Sequence, residues 1–265
     1  MKTKKVTIKD IAKEAGVSIA TVSYIINDRK DQQISPETRN KVLQVINLLN
    51  YTPNKAAKSL VTNQTQSIAL YCAETGSFLE KAEQLTFIQK LSAFLHTKNY
   101  NLVYLDNHMI QKYDMVDAIL TLGIDNTSFH QIGELNFVPI IALDGLVNDP
   151  VFFQINLDWQ HIVELLDSNY KDKQYTLVSL PIYNKELKSY LSSIFKQIYW
   201  LTQSNLALDD TKYLVTVNQA IKDFYENSKS IQLIPKFTDT YFEKLFQTIN
   251  WAINREQIEN HNILI

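Results

Sequence analysis

The sequence predicts two fold classes in series: an all-α head of three short helices in the first fifty residues, then an α/β body from residue 67 onward. In the head, apolar residues recur at helical spacing between glycine, hydroxyl and proline residues that stop and start helices. In the body, short apolar runs alternate with amphipathic ones, the rhythm of strands and helices around a mostly parallel sheet. The formal charge divides at the same boundary. Eleven Lys and Arg against five Asp and Glu leave the first 65 residues at +6; fifteen against twenty-three leave the remainder at −8. A basic segment on an acidic body is the footprint of a polyanion binder, because Lys and Arg release counterions condensed on phosphates.

The first helix starts at Thr7, whose side chain suits an N-cap, with Asp10 near the positive helix end. It runs from Ile8 to Ala15 and puts Ile8, Ile11, Ala12 and Ala15 on one stripe. Gly16 supplies the left-handed turn, Val17 plugs the core and Ser18 caps a second helix from Ile19 to Ile26. Val22, Ile25 and Ile26 face inward, leaving Ile19, Ala20, Thr21, Ser23 and Tyr24 outward. That outer face carries no charge. Small hydroxyls, methyls and an aromatic suit a surface pressed into a groove better than one facing water. A loop from Asn27 to Ile34 carries Arg29 and Lys30; Ser35 as N-cap and Pro36 at N1 then open a third helix reaching about Leu49. Its inward stripe is Val42, Val45, Ile46 and Leu49, so three helices share one core, a helix-turn-helix arrangement.

Residues 6–66 resemble the head of the lactose-repressor/galactose-repressor (LacI/GalR) family of transcriptional regulators. The carrying residues are Thr7-Ile-Lys-Asp-Ile-Ala12, Ala15-Gly-Val-Ser18, Ala20-Thr-Val-Ser23, Asn27, Thr38-Arg39, Asn50-Tyr51, Pro53-Asn54, Ala57 and Leu60. The resemblance implies that Ile19, Ala20 and Tyr24 face base edges in the major groove of an operator duplex, while Ser18, Thr21, Ser23, Asn27, Thr38 and Tyr51 hold phosphates. Two departures stand out. Tyr24 occupies a position where the family often has Arg, which pairs with both guanine acceptors; a tyrosine there implies an altered half-site. The loop from Asp28 to Ile34 is longer than the family's usual one.

After Pro53, the stretch from Asn54 to Leu60 is compatible with a short helix that orders only when packed, since helices below about 12 residues are marginal in water. By resemblance this is a hinge for residues 51–66: Asn54 and Ala57 lie on it, Lys58 approaches the DNA backbone, and Leu60 is an apolar wedge in a minor-groove step. The residues themselves leave a plain linker open.

In the body, Ser67–Cys72, Asn101–Leu105, Ala118–Leu122, Val138–Leu143, Tyr175–Leu180, Tyr213–Val217 and Ile231–Ile234 read as strands. Glu80–His96, Phe129–Leu135, Asn184–Gln197, Gln219–Asn227 and Thr240–Asn254 read as helical. By resemblance the domain of residues 67–265 is a reduced periplasmic-binding-protein-like body for effector binding and dimerisation. Asp144, Asp158 and Asn218 are its effector-site candidates, a small sugar-like molecule its ligand, and Asn262–Ile265 its final strand. The Arg-Gly-Phe segment by which the family often grips sugar hydroxyls has no counterpart, and only four glycines, Gly76, Gly123, Gly133 and Gly145, fall in this region.

No phosphate loop, nucleophile elbow or zinc-helix motif occurs, and the five histidines lack metal-ligand spacing, so neither an enzyme, a metal site nor a cofactor is expected. Lys4-Lys5 and Asp209-Asp210 read as solvated charge. The single Cys72 reads as a core residue in a reducing compartment, and no apolar run approaches the roughly 20 residues that cross a bilayer, which predicts a cytoplasmic protein without a membrane partner. The expectation is a sequence-specific repressor acting as a homodimer on a pseudo-palindromic double-stranded operator under small-effector control. The alternatives left open are a cytosolic ligand-binding protein or an architectural DNA binder without effector control.

Overall fold

Side-chain caps start each helix of the head. The Asp10 carboxylate accepts from the Thr7 amide at 2.8 Å and the Thr7 hydroxyl at 2.6 Å, opening α1 (Ile8–Ala15). Gly16 ends it in the left-handed region at φ 65°, and Ser18 Oγ then accepts from the Thr21 amide to open α2 (Ile19–Ile26). Ser35 Oγ does the same for the Thr38 amide ahead of α3 (Pro36–Leu48). Ile11, Ala12, Ala15, Val22, Ile25, Val42 and Val45 form the buried core of the three helices, as their spacing predicts; Ile26, Ile46 and Leu49 pack around it half-buried.

The structure, a computed structural model, describes residues 6–27, 29, 31–51, 64–105, 108–113, 115–170, 174–208, 213–227 and 230–265. It divides into two units, Met1–Asn63 and Gln64–Ile265.

The second unit holds two parallel sheets among its described residues. The first has six strands in the order β10-β5-β4-β3-β1-β2, with β1 (Ser67–Cys72), β2 (Asn101–Leu105), β3 (Ala118–Leu122), β4 (Ile140–Leu143), β5 (Phe153–Asn156) and β10 (Asn262–Leu264). The register pairs Ile68 with Ala118, Ile119 with Ile140, and Ile155 with both Leu143 and Ile263. The second has the order β7-β6-β8-β9, with β6 (Tyr175–Ser179), β7 (Ile198–Trp200), β8 (Tyr213–Thr216) and β9 (Ile231–Leu233). Helices α4 (Phe78–Thr97) and α5 (Asn126–Leu135) connect strands of the first lobe. The second lobe carries α6 (Trp159–Tyr170), α7 (Lys185–Ile194) and α8 (Gln219–Phe224), and α9 (Asp239–Asn254) returns the chain to β10.

Central parallel strands are covered on both faces and so read as continuous apolar runs. Ile68, Leu70 and Cys72 point into a core shared with Phe87, Leu91 and Leu95 of α4 and with Tyr241, Phe242, Leu245 and Ile249 of α9. Ala69 and Tyr71 point the other way, toward Phe129 and Ile132 of α5. Burial pushes the Cys72 thiol up to about 12, which makes it a core residue as its isolation in the sequence predicts.

The structure adds three elements to those read from the sequence: β5, α6 and β7. It also trims several ends. The helix expected over Asn184–Gln197 stops at Ile194, where Phe195 turns to extended backbone and buries its ring in the lobe-two core. The strand expected from Val138 begins at Ile140, after Pro139, whose missing amide cannot join the ladder. In the described residues, no helix is long and apolar enough to cross a membrane.

Candidate nucleic-acid interface and cleft

In the head, α2 is the candidate interface. Ile19 is 45% exposed, although it is a large hydrophobe at a helix start; Ala20 and Ser18 beside it are exposed, and Thr21, Ser23 and Tyr24 are half-buried. The hydroxyls are held in place. Ser18 Oγ and Thr21 Oγ1 lie 2.9 Å apart, and Asn27 Nδ2 donates to the Ser23 carbonyl at 2.8 Å, closing the helix end. Ser35 Oγ donates to Thr38 Oγ1 at 2.9 Å on the first turn of α3. Tyr51 packs against the head core and donates its amide to the Ile46 carbonyl. The uncharged face is thus flanked by bonded, preoriented hydroxyls and an amide.

The long loop after α2 explains part of the departure at Tyr24. The Arg29 amide donates to the Tyr24 carbonyl, and its guanidinium stands 6.0 Å from the Tyr24 ring centre, a cation–π distance. Arg29 also grips Asp31 through two bonds of 2.7 Å, which hold the Asp31 carboxyl far below the usual carboxylate range. The loop arginine is thus a cation placed against the tyrosine ring and paired with a neighbouring carboxylate. The hinge candidates Asn54, Ala57, Lys58 and Leu60 lie outside the described residues.

In the body, a cavity of about 110 Å³ opens between the two lobes at the carboxyl ends of β1, β3, β4, β6 and β8, where ligands of open α/β sheets bind. Asp144 and Asn218 line it. Asp144, at φ 54°, directly follows β4 and pairs with the buried Lys236, whose ammonium also lies 5.0 Å from the Phe237 ring centre. Asn218 Oδ1 accepts from the Leu180 amide at 3.2 Å, holding the end of β6. Asp158 does not line the cavity: its carboxylate accepts from the His161 amide at 3.1 Å at the start of α6, and its own amide donates to the Ile265 carbonyl.

Residues not singled out in the sequence complete the cleft. Glu80 and Glu83, both on the buried face of α4, reach across the lobes. Glu80 accepts from the Tyr183 hydroxyl at 2.6 Å, and burial with that carboxylate raises the Tyr183 phenol to about 12. Glu83 accepts from the Ala220 amide at 2.8 Å. Burial raises its carboxyl above the ordinary range, against the opposing pull of that amide, of Lys236 and of Asn218. A third bridge joins Asn184 Nδ2 to Asn126 Oδ1 at 2.9 Å. One sequence signal pointed here: Glu80 and Glu83 fall on the stripe that continues through Phe87 and Leu91, where an amphipathic helix places apolar residues.

The folds define a class: a helix-turn-helix module on a two-lobed α/β body with an interlobe cleft. Over residues 7–54, its head, the chain matches the model of the bacterial regulatory proteins of the lacI family. It is similar to the HTH-type transcriptional repressor PurR of Histophilus somni, 37% identical over 147 residues, which cover 52% of this chain and 43% of that protein. It is also similar to catabolite control protein A of Staphylococcus epidermidis, 28% identical over 238 residues, 86% of this chain and 70% of that one. The chain thus spans less than half the length of the PurR relative. Among solved structures, the Lac repressor bound to ONPG in its repressed state superimposes with a TM-score of 0.61 at 15% identity, over 99% of this chain and 97% of that one. That likeness bears out the fold read from the sequence, head and periplasmic-binding-protein-like body alike.

Proposed function

We propose that this protein is a sequence-specific DNA-binding transcriptional regulator, a repressor that reads a pseudo-palindromic operator as a homodimer under control of a small molecule in the interlobe cleft. The observation that carries the reading is the outer face of α2: exposed, uncharged, and edged by hydroxyls already oriented by caps. Ile19, Ala20 and Tyr24 are the base-reading residues, with apolar contact to thymine methyls and one hydroxyl as the available chemistry. Ser18, Thr21, Ser23, Asn27, Thr38 and Tyr51 position the head on phosphates, and Asn54, Ala57, Lys58 and Leu60 engage the minor groove.

Dimerisation follows from geometry, since paired half-sites need two heads on a two-fold axis. Among the described residues β2 is one edge of the first sheet, with Tyr104 exposed on it, and Leu85 of α4 is also exposed; these groups on the first lobe support pairing there. Asp144 and Asn218 of the cleft hold the effector, and the absence of a nucleophile or metal motif supports a binding role without catalysis. The test is selection of bound sequences from random duplex DNA by the purified protein. A two-fold-related consensus at helical-turn spacing is expected; equal retention of every duplex, with affinity set by salt alone, would end this reading.

A further inference from the structure

We infer that the cleft takes a small cationic ligand, one ammonium group on a short apolar body, with Glu83 Oε1 as the acceptor of its charge. This rests on the cleft being a ligand site, as proposed above. Three carboxyl groups and one ammonium among the lining residues set the sign: Glu80, Glu83 and Asp144 against Lys236. Lys236 pairs directly with Asp144 and acts on Glu83 only through space, and the Glu80 carboxylate is occupied by the Tyr183 hydroxyl and by the Ser77 amide at 3.1 Å. Glu83 is 8% exposed, and its Oε1 finds no hydrogen-bond partner among the described residues while Oε2 binds the Ala220 amide. A buried carboxylate oxygen without a donor is costly, and a donor that also brings positive charge answers both the hydrogen bond and the desolvation.

The walls agree. Trp159, Leu187 and Val217 supply an apolar wall, and Phe237 already receives the Lys236 ammonium on its face, so the cleft tolerates a cation against an aromatic ring. The neutral sugar implied by family resemblance would bring this carboxylate a hydroxyl donor but no positive charge.

The test compares matched probes by calorimetry on the full chain at pH 8: n-butylammonium against butan-1-ol, which differ in the charged donor and share the tail. The wild type is expected to bind the ammonium about tenfold tighter or more, the difference of one charge-assisted bond. E83Q, which keeps the shape and an acceptor for Ala220, is expected to erase that preference while its melting curve shows it folded. Equal binding of both probes, a preference for the alcohol, no binding of either up to about 10 mM, or a preference that survives in folded E83Q overturns the assignment. DNA selection with the same preparation separates the two readings: an operator consensus without amine preference removes only the ligand, and amine preference without a consensus removes only the regulator.

Discussion

The head and the body handle charge in opposite ways. On the head's outer helix face, Ile19 and Ala20 are exposed without a charged residue among them, and hydroxyls of Ser18 and Thr21 bond to each other. In the body, Glu80, Glu83 and Lys236 are buried, each with partners drawn from another part of the fold. An apolar group in water costs little when a groove will later cover it, whereas a buried charge costs several kcal/mol unless it is matched. The head therefore keeps its specificity on display and, among the described residues, the body holds its buried charges with partners distant in sequence, Glu83 Oε1 excepted.

Four changes break or sharpen that contrast. Asp144→Ala leaves the Lys236 ammonium buried and unmatched, and is expected to destabilise the body by about 3–5 kcal/mol in denaturant unfolding, whereas Asp144→Leu with Lys236→Met together restores most of the loss. Should the single change leave the midpoint in place, the pair does not matter to the fold. Ile11→Ala empties the centre of the small head and is expected to remove about 2–5 kcal/mol, enough to unfold it while the body's transition in calorimetry stays put.

Tyr24→Arg removes the ring that Arg29 contacts and installs a bidentate donor. The preferred base pair at one operator position should shift toward guanine by about 1–3 kcal/mol of discrimination, read by sequence selection on both proteins; identical consensus sequences would show that Tyr24 does not read bases. The smallest effect is a pH signature at Glu83. Its folded pKa lies above the unfolded value of 4.5, so between the two the folded state binds the extra proton and stability falls as pH rises through the folded pKa. Glu83→Gln removes that term, and its melting temperature relative to wild type should climb between pH 4.5 and pH 8. A gap independent of pH would mean that burial does not perturb the carboxyl.

Much of the fold was legible because its signals are local. Thr7, Gly16, Ser18, Ser35 and Pro36 punctuate the head, and the bounds of its first two helices follow directly from them. The apolar run of β1 and β3 announces strands covered on both faces. The elements that escaped have weaker signatures. β7 spans three half-buried residues at a sheet edge, and β5 interrupts its apolar residues with Gln154 and Asn156. α6 did carry the stripe Trp159, Ile162, Val163 and Leu166, at spacings of three and four.

What the amino-acid sequence determined by itself is whatever depends on neighbours a few positions apart: helix starts and stops, the inward stripe of each helix, the basic head and acidic body, and the uncharged face of α2. Only the tertiary structure decided the cleft. Asp144 meets Lys236 at a sequence separation of 92 and Glu83 meets Ala220 at one of 137. Asp158, an acid of the same type as Asp144 and only fourteen residues away, spends its carboxylate on a helix start instead. A carboxylate's role is set by which donors the fold brings within about 3 Å of it and by how much water it leaves there, and neither quantity is written in local spacing.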